Sequence, residues 1–104
     1  MVLKELYNMN DAYQCKSNEQ ALKLFKDLRN KIGTISKIYS NVDKLSDRQI
    51  ITAENAIKYI KREEYCEAIR EVYDFLENYR DNTHELTNPE FGVLHIILTM
   101  IEKD

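Results

Sequence analysis

Ser17 to Tyr39 reads SNEQALKLFKDLRNKIGTISKIY. Ala21, Phe25, Leu28, Ile32, Ile35 and Tyr39 step through it by four, three, four, three and four residues. That alternation keeps one face of an α-helix apolar, because a helix turns once in about 3.6 residues. A stripe so narrow and regular calls for antiparallel neighbours at a shallow crossing angle. Ser17 followed by Gln20 is a capping box: the hydroxyl accepts a free backbone N–H and the Gln amide reaches back. Gly33 falls inside this stripe. A Gly there costs about 1 kcal/mol relative to Ala, so it is read as permitting a close contact or a mild bend.

The same signals recur on the C-terminal side. Asn41 to Ser46 is a polar connection. Ser46 and Gln49 form a second capping box, with Leu45 and Ile50 placed to staple around it. A third helix therefore starts near Asp47, with Ile50, Ala53, Ile57 and Ile60 as its apolar positions. Continued past Lys61, that stripe would require apolar residues near positions 64 and 67, where Glu64 and Glu67 stand. It resumes instead at Tyr65, Ala68, Ile69, Val72, Leu76 and Tyr79. A tight turn at Lys61-Arg62-Glu63-Glu64 accounts for the slip; one long, gently bent helix is the alternative. After a polar loop from Arg80 to Leu86, Thr87-Asn88-Pro89-Glu90 signals another start. The last helix, from about Pro89 to Lys103, carries Phe91, Val93, Leu94, Ile96, Ile97, Met100 and Ile101. Its apolar arc is wide. It is either central in the bundle or half covered and awaiting a partner. N-terminal to the decisive stretch, Val2 to about Gln14 places Leu3, Leu6, Tyr7 and Tyr13 on one face of a short, weakly patterned helix.

Composition agrees with an all-α fold. The chain has 104 residues, 43% hydrophobic and 32% charged, with two Gly and one Pro. So few turn-formers cannot build the many tight turns of a sandwich or barrel. The length suits one domain with a core that needs no metal or disulfide. The expectation is an antiparallel four-helix bundle, with room for a short extra N-terminal helix. Ala56 to Leu76 resembles one unit of a tetratricopeptide repeat, but a solenoid needs about three such units to bury a core.

The chemistry-bearing residues are sparse. A net charge of −3 with no basic stripe argues against nucleic acid as a partner. Cys15 and Cys66 lack the short spacing of a zinc or redox pair and are read as reduced thiols of a cytosolic protein. His84 and His95 lack metal-ligand spacing. His95, in an apolar helix, is expected packed or half-exposed. Glu63, Glu64 and Glu67 read as a solvated face near a helix start. No phosphate loop, dinucleotide fingerprint or nucleophile elbow is present, so neither enzyme activity nor a cofactor is expected. Arg80 and His84 resemble the Arg–His pair of HEPN ribonucleases with a spacing one residue short. The N-terminus lacks the basic-then-apolar layout of a signal peptide, and the stretch from Phe91 to Ile101 falls short of the about 20 residues that span a bilayer. A cytoplasmic location is therefore expected. The seven tyrosines suit either an interface or the rim of a small core. Tyr59, Tyr73 and Tyr79 are the ones expected to be partly exposed.

Three stretches resemble the small immunity proteins that protect bacteria from their own class II bacteriocins. Leu3-Lys4-Glu5-Leu6-Tyr7 is similar to the opening helix of the enterocin A type. Leu45-Ser46-Asp47-Arg48-Gln49 through Ala56, followed by Glu64-Tyr65 and an Ile-rich helix, resembles the lactococcin A type. Leu86-Thr87 with Glu90, Leu94 and Ile97 resembles the start of the final helix in both. These are soft helical patterns spread over most of the chain. Such proteins often carry a flexible C-terminal tail important for specificity, whereas here the expected helix runs almost to Asp104. The resemblance implies a cytosolic bundle acting at the inner membrane face. It further implies recognition of a mannose phosphotransferase-system permease engaged by the bacteriocin. Peripheral membrane association is compatible with that role. Position and residue type then point to Tyr73, Tyr79, Arg80, His84 and Lys103 as binding residues. A phage or mobile-element protein that inhibits a host factor by surface binding would have a similar composition, and a HEPN-like ribonuclease or antitoxin component is the third reading.

Overall fold

The computed structural model describes residues 7–33, 38–39, 44–77 and 86–102. In chain order its elements are α1 (Met9–Tyr13), α2 (Asn18–Ile32), β1 (Ile38–Tyr39), α3 (Asp47–Lys61), α4 (Tyr65–Glu77), β2 (Leu86–Thr87) and α5 (Asn88–Glu102). The fold is an all-α helical bundle, with four long helices and one short first helix among the described residues. Each long helix starts where the chain offers a side chain to its free N–H groups. Ser17 Oγ accepts from Gln20 N at 3.2 Å. Gln20 reaches back one residue further than a capping box requires, accepting from Lys16 N at 2.8 Å. Ser46 and Gln49 make the full box, with both bonds at 3.1 Å. Thr87 and Glu90 do the same for α5.

The turn at Lys61–Glu64 is present. α3 ends at Lys61 and α4 begins at Tyr65. Glu63 takes the left-handed conformation, φ 59°, that reverses the chain in so short a span. Asn18 of α2 braces the turn: its Nδ2 donates to Glu63 O at 2.9 Å and its Oδ1 accepts from Tyr65 N at 3.3 Å. The resulting α3–α4 hairpin is further joined by Arg48, which donates to both oxygens of Asp74, and by Asn55, which donates to Glu71 Oε1 at 2.8 Å.

Three expectations require correction. First, the helix does not run from Ala21 to Tyr39. α2 ends at Ile32, and Gly33 caps it by donating to Arg29 O at 3.0 Å. Ile38 and Tyr39, residue types that favour extended backbone, pair in parallel with Leu86 and Thr87. Gly33 serves no close contact, since an added Cβ would meet only carbonyl oxygens at 3.5 Å. Second, the buried face of α3 is turned slightly from the expected stripe, with Ala53 and Ile60 buried and Ile57 half-buried as expected but Ile50 turned out. Gln49, Thr52, Ala53, Ala56 and Ile60 are buried, while Ile50 is 44% exposed. Small side chains let α3 lie close to α4, and the buried amide of Gln49 sets its rotation. Third, Cys15 and Cys66, 51 positions apart in the chain, are not free thiols but a disulfide, with Cα atoms 5.7 Å apart. That separation falls in the usual range for such a link. No sequence motif marks it, because helix packing alone brings the two positions together.

The buried side chains form one cluster, with Phe25, Leu28, Ile69, Phe75, Leu94 and Ile97 among its largest members. α4 is its central helix, packed against α1, α2 and α3. α5 closes one side only, burying Glu90, Leu94, Ile97 and Leu98.

Candidate functional site

The last helix carries more apolar surface than the bundle covers. Leu94, Ile97 and Leu98 face the core, and Val93, Phe91, Met100 and Ile101 pack against its rim half-buried. Ile96 remains 55% exposed. Val93, Ile96 and Met100 follow one another at spacings of three and four, so they form a continuous apolar strip along one flank of α5. Of the two arrangements open to a wide apolar arc, central or half covered, the structure has the second.

The opposite flank of α5 borders α2, and a groove runs between them. Ile32, Phe91 and Leu98 line one half, and Leu22, Phe25 and Ile101 the other. Arg29, Leu98 and Glu102 belong to both halves, so the groove is continuous. Arg29 and Glu102 form an ion pair across it. Both side chains reach water, so the pair adds little stability. His95 and Thr99 complete a polar rim, and His95 is exposed rather than packed. An apolar floor under a thin polar rim suits a protein or peptide side chain. Among the described residues no group of three His, Cys, Asp or Glu could hold a metal ion, and no helix is long and apolar enough to cross a membrane.

The chain matches no protein-family model, and neither a curated protein nor a solved structure is detectably similar to it.

Of the residues selected from sequence, Tyr73 needs correction. It is 2% exposed and stacks against Tyr7, with ring centroids 4.9 Å apart and planes at 40°. Its ring is part of the core, so it offers no contact surface to a partner. Burial pushes its phenol up to about 12, with Asp11 and Asp27 adding to the effect. Tyr59 is half-buried, as its position suggested. Tyr79, Arg80, His84 and Lys103 lie outside the described residues. In the chain they bracket α5, the helix that carries the uncovered strip. Sequence reading placed the binding surface around the last helix but passed over Ile96 and the α2 wall of the groove. The width of the α5 apolar arc was the available signal. It could not say which flank the bundle leaves open.

Proposed function

We propose that this protein acts by binding a protein partner through α5 and the α2–α5 groove, as an immunity protein against a class II bacteriocin. The observation that carries the binding reading is Ile96, an exposed β-branched side chain continuous with half-buried Val93 and Met100. An apolar strip along one flank of a helix is the kind of surface a protein partner would bury. The rim residues Arg29, His95 and Glu102 would give such a contact its polar specificity. Tyr79, Arg80, His84 and Lys103, which precede and follow α5 in the chain, are proposed as further binding residues.

The bacteriocin assignment rests on the three resembling stretches. Its partner would be a mannose phosphotransferase-system permease carrying bound bacteriocin, met at the inner membrane face. Producing the protein in a bacteriocin-sensitive cell tests this directly. Protection against at least one class II bacteriocin is expected, and Ile96→Glu should abolish it while leaving the unfolding free energy within about 0.5 kcal/mol of the parent, as for other exposed sites. Full susceptibility to every class II bacteriocin tried would refute the assignment. A pull-down from membranes with and without bacteriocin should retain the permease only in its presence.

A further inference from the structure

The outer face of α3 divides by charge. Arg48 and Asn55 reach α4, and Gln49 reaches α5, so these side chains mark the inward sides of the helix. On the outward side the first half holds Asp47, Ile50, Ile51 and Glu54, all exposed. Ile50 and Ile51 keep 44% and 57% of their surface in water. The second half holds Lys58, Lys61 and Arg62, exposed, around half-buried Ile57. Together with Glu54 these four residues line one shallow depression. Among the described residues no ion pair engages any of these acids and bases.

Spacing orders this face. Asp47, Glu54 and Lys61 stand seven apart, close to two helical turns, and so follow one line. Ile50 and Ile57, also seven apart, follow a second line beside it. A parallel copy of the same helix would set acid on acid and base on base. An antiparallel copy, turned about Glu54, sets Asp47 on Lys61 of the second copy. A two-fold contact makes that unlike pair twice. The same rotation brings Ile50 and Ile51 over the depression around Ile57 of the second copy, where the lysine stems add apolar surface. One like pair remains, Glu54 facing its own counterpart on the axis. Any other protein would have to supply the reversed pattern, whereas a second α3 already holds it.

We propose that α3 is the face through which two copies of this chain associate, antiparallel, about a two-fold axis at Glu54. The helix has 15 residues and is therefore about 22 Å long. A contact one helix wide buries less than about 1,200 Å² in total, the range of weak, transient association. This face is separate from α5, and the inference does not depend on the binding function proposed above.

The test is sedimentation equilibrium of the full chain. At low salt, from about 10 μM to about 1 mM, it should show a reversible monomer–dimer equilibrium that weakens as salt is added. Asp47→Lys and Lys61→Glu each place like charges at both end pairs and should weaken association about tenfold. An equimolar mixture of the two variants should regain most of the loss, since their heterodimer has an unlike pair at each end. Glu54→Gln removes the like pair on the axis and should tighten the dimer several-fold. Helical circular dichroism of each variant should match the parent, because all three sites are exposed. Should either reversal fail to fold, Glu54→Gln and the salt series still decide. A monomer at every concentration would overturn the proposal. So would a dimer indifferent to Asp47, Glu54 and Lys61, or a mixture no tighter than its components. Association lost in Ile96→Glu but kept in both reversals would place the contact on α5 and overturn it as well.

Discussion

Gln49 meets two demands with one amide. Its oxygen closes the Ser46 capping box. Its nitrogen donates to Glu90 Oε2 at 2.6 Å and to Phe75 O at 3.4 Å. Glu90, 1% exposed, has its other oxygen on Thr87 N. Two capping boxes are thereby wired together inside the protein through one buried side-chain hydrogen bond. Removing either partner leaves a buried polar group short of a bond, so Gln49→Ala and Glu90→Ala should each cost about 2–3 kcal/mol in urea unfolding. Because they share one bond, the double variant should lose clearly less than the sum. Backbone effects are separable from this network. Glu63 is a non-glycine residue at φ 59°, with its side chain in solvent. Gly92 lies on the exposed face of α5 with open space where a Cβ would go. Glu63→Gly and Gly92→Ala, opposite exchanges, should each raise the unfolding free energy measured in urea by about 0.5–1 kcal/mol. Both capping boxes were legible from spacing alone. The bond between them was not, since its partners stand 41 residues apart.

Among the elements, α4 is the one on which the others depend. It contacts α1, α2 and α3, and it carries Phe75, fully buried. Phe75→Ala should cost about 3–5 kcal/mol by calorimetry or denaturant titration. α1 has only five residues and little core of its own. Its hold comes from the Tyr7–Tyr73 contact, from Arg70 reaching its last carbonyls, and from the disulfide just beyond it. Closing a loop of 51 residues in the unfolded chain corresponds to about 4 kcal/mol in the chain-entropy account. Cys15→Ser together with Cys66→Ser should therefore lower stability by roughly that amount, read as a fall in the denaturant midpoint. The apolar period located α2, α3, α4 and α5. It misjudged the end of α2, because Ile35 and Tyr39 fit a helical stripe while Gly33 stops the helix. On α3 it placed Ala53, Ile57 and Ile60 correctly but misplaced Ile50, because Gln49 beside it is held inward by its bond to Glu90.

The molecule as a whole responds to alkaline conditions through its buried phenols. Tyr73 ionises near 12, and Tyr7 is raised above the ordinary value of 10.0, first by burial and then by Glu77 and Asp74. In both cases the fold favours the protonated form. The stabilisation is complete below about pH 10, the unfolded value, and is lost as pH climbs towards 12. Tyrosinate absorbance should therefore show two phenols that ionise only together with loss of helical circular dichroism. Tyr73→Phe should move that transition to higher pH, provided the ring packing is retained. No such loss is expected between pH 6 and 9 from these groups.

What the amino-acid order settled alone was everything confined to about one helical turn: where each long helix starts, that its inner face is apolar, and that the chain reverses between Lys61 and Tyr65. Cap, period and turn are local interactions, and a few adjacent residues suffice to state them. The tertiary structure decided which of two adjacent faces points inward, that Cys15 meets Cys66, that Tyr73 is core, and that the strip holding Ile96 stays uncovered. Each of those is a competition among segments distant in the chain for one shared interior. Its outcome depends on the volumes and polar partners that all the helices bring together.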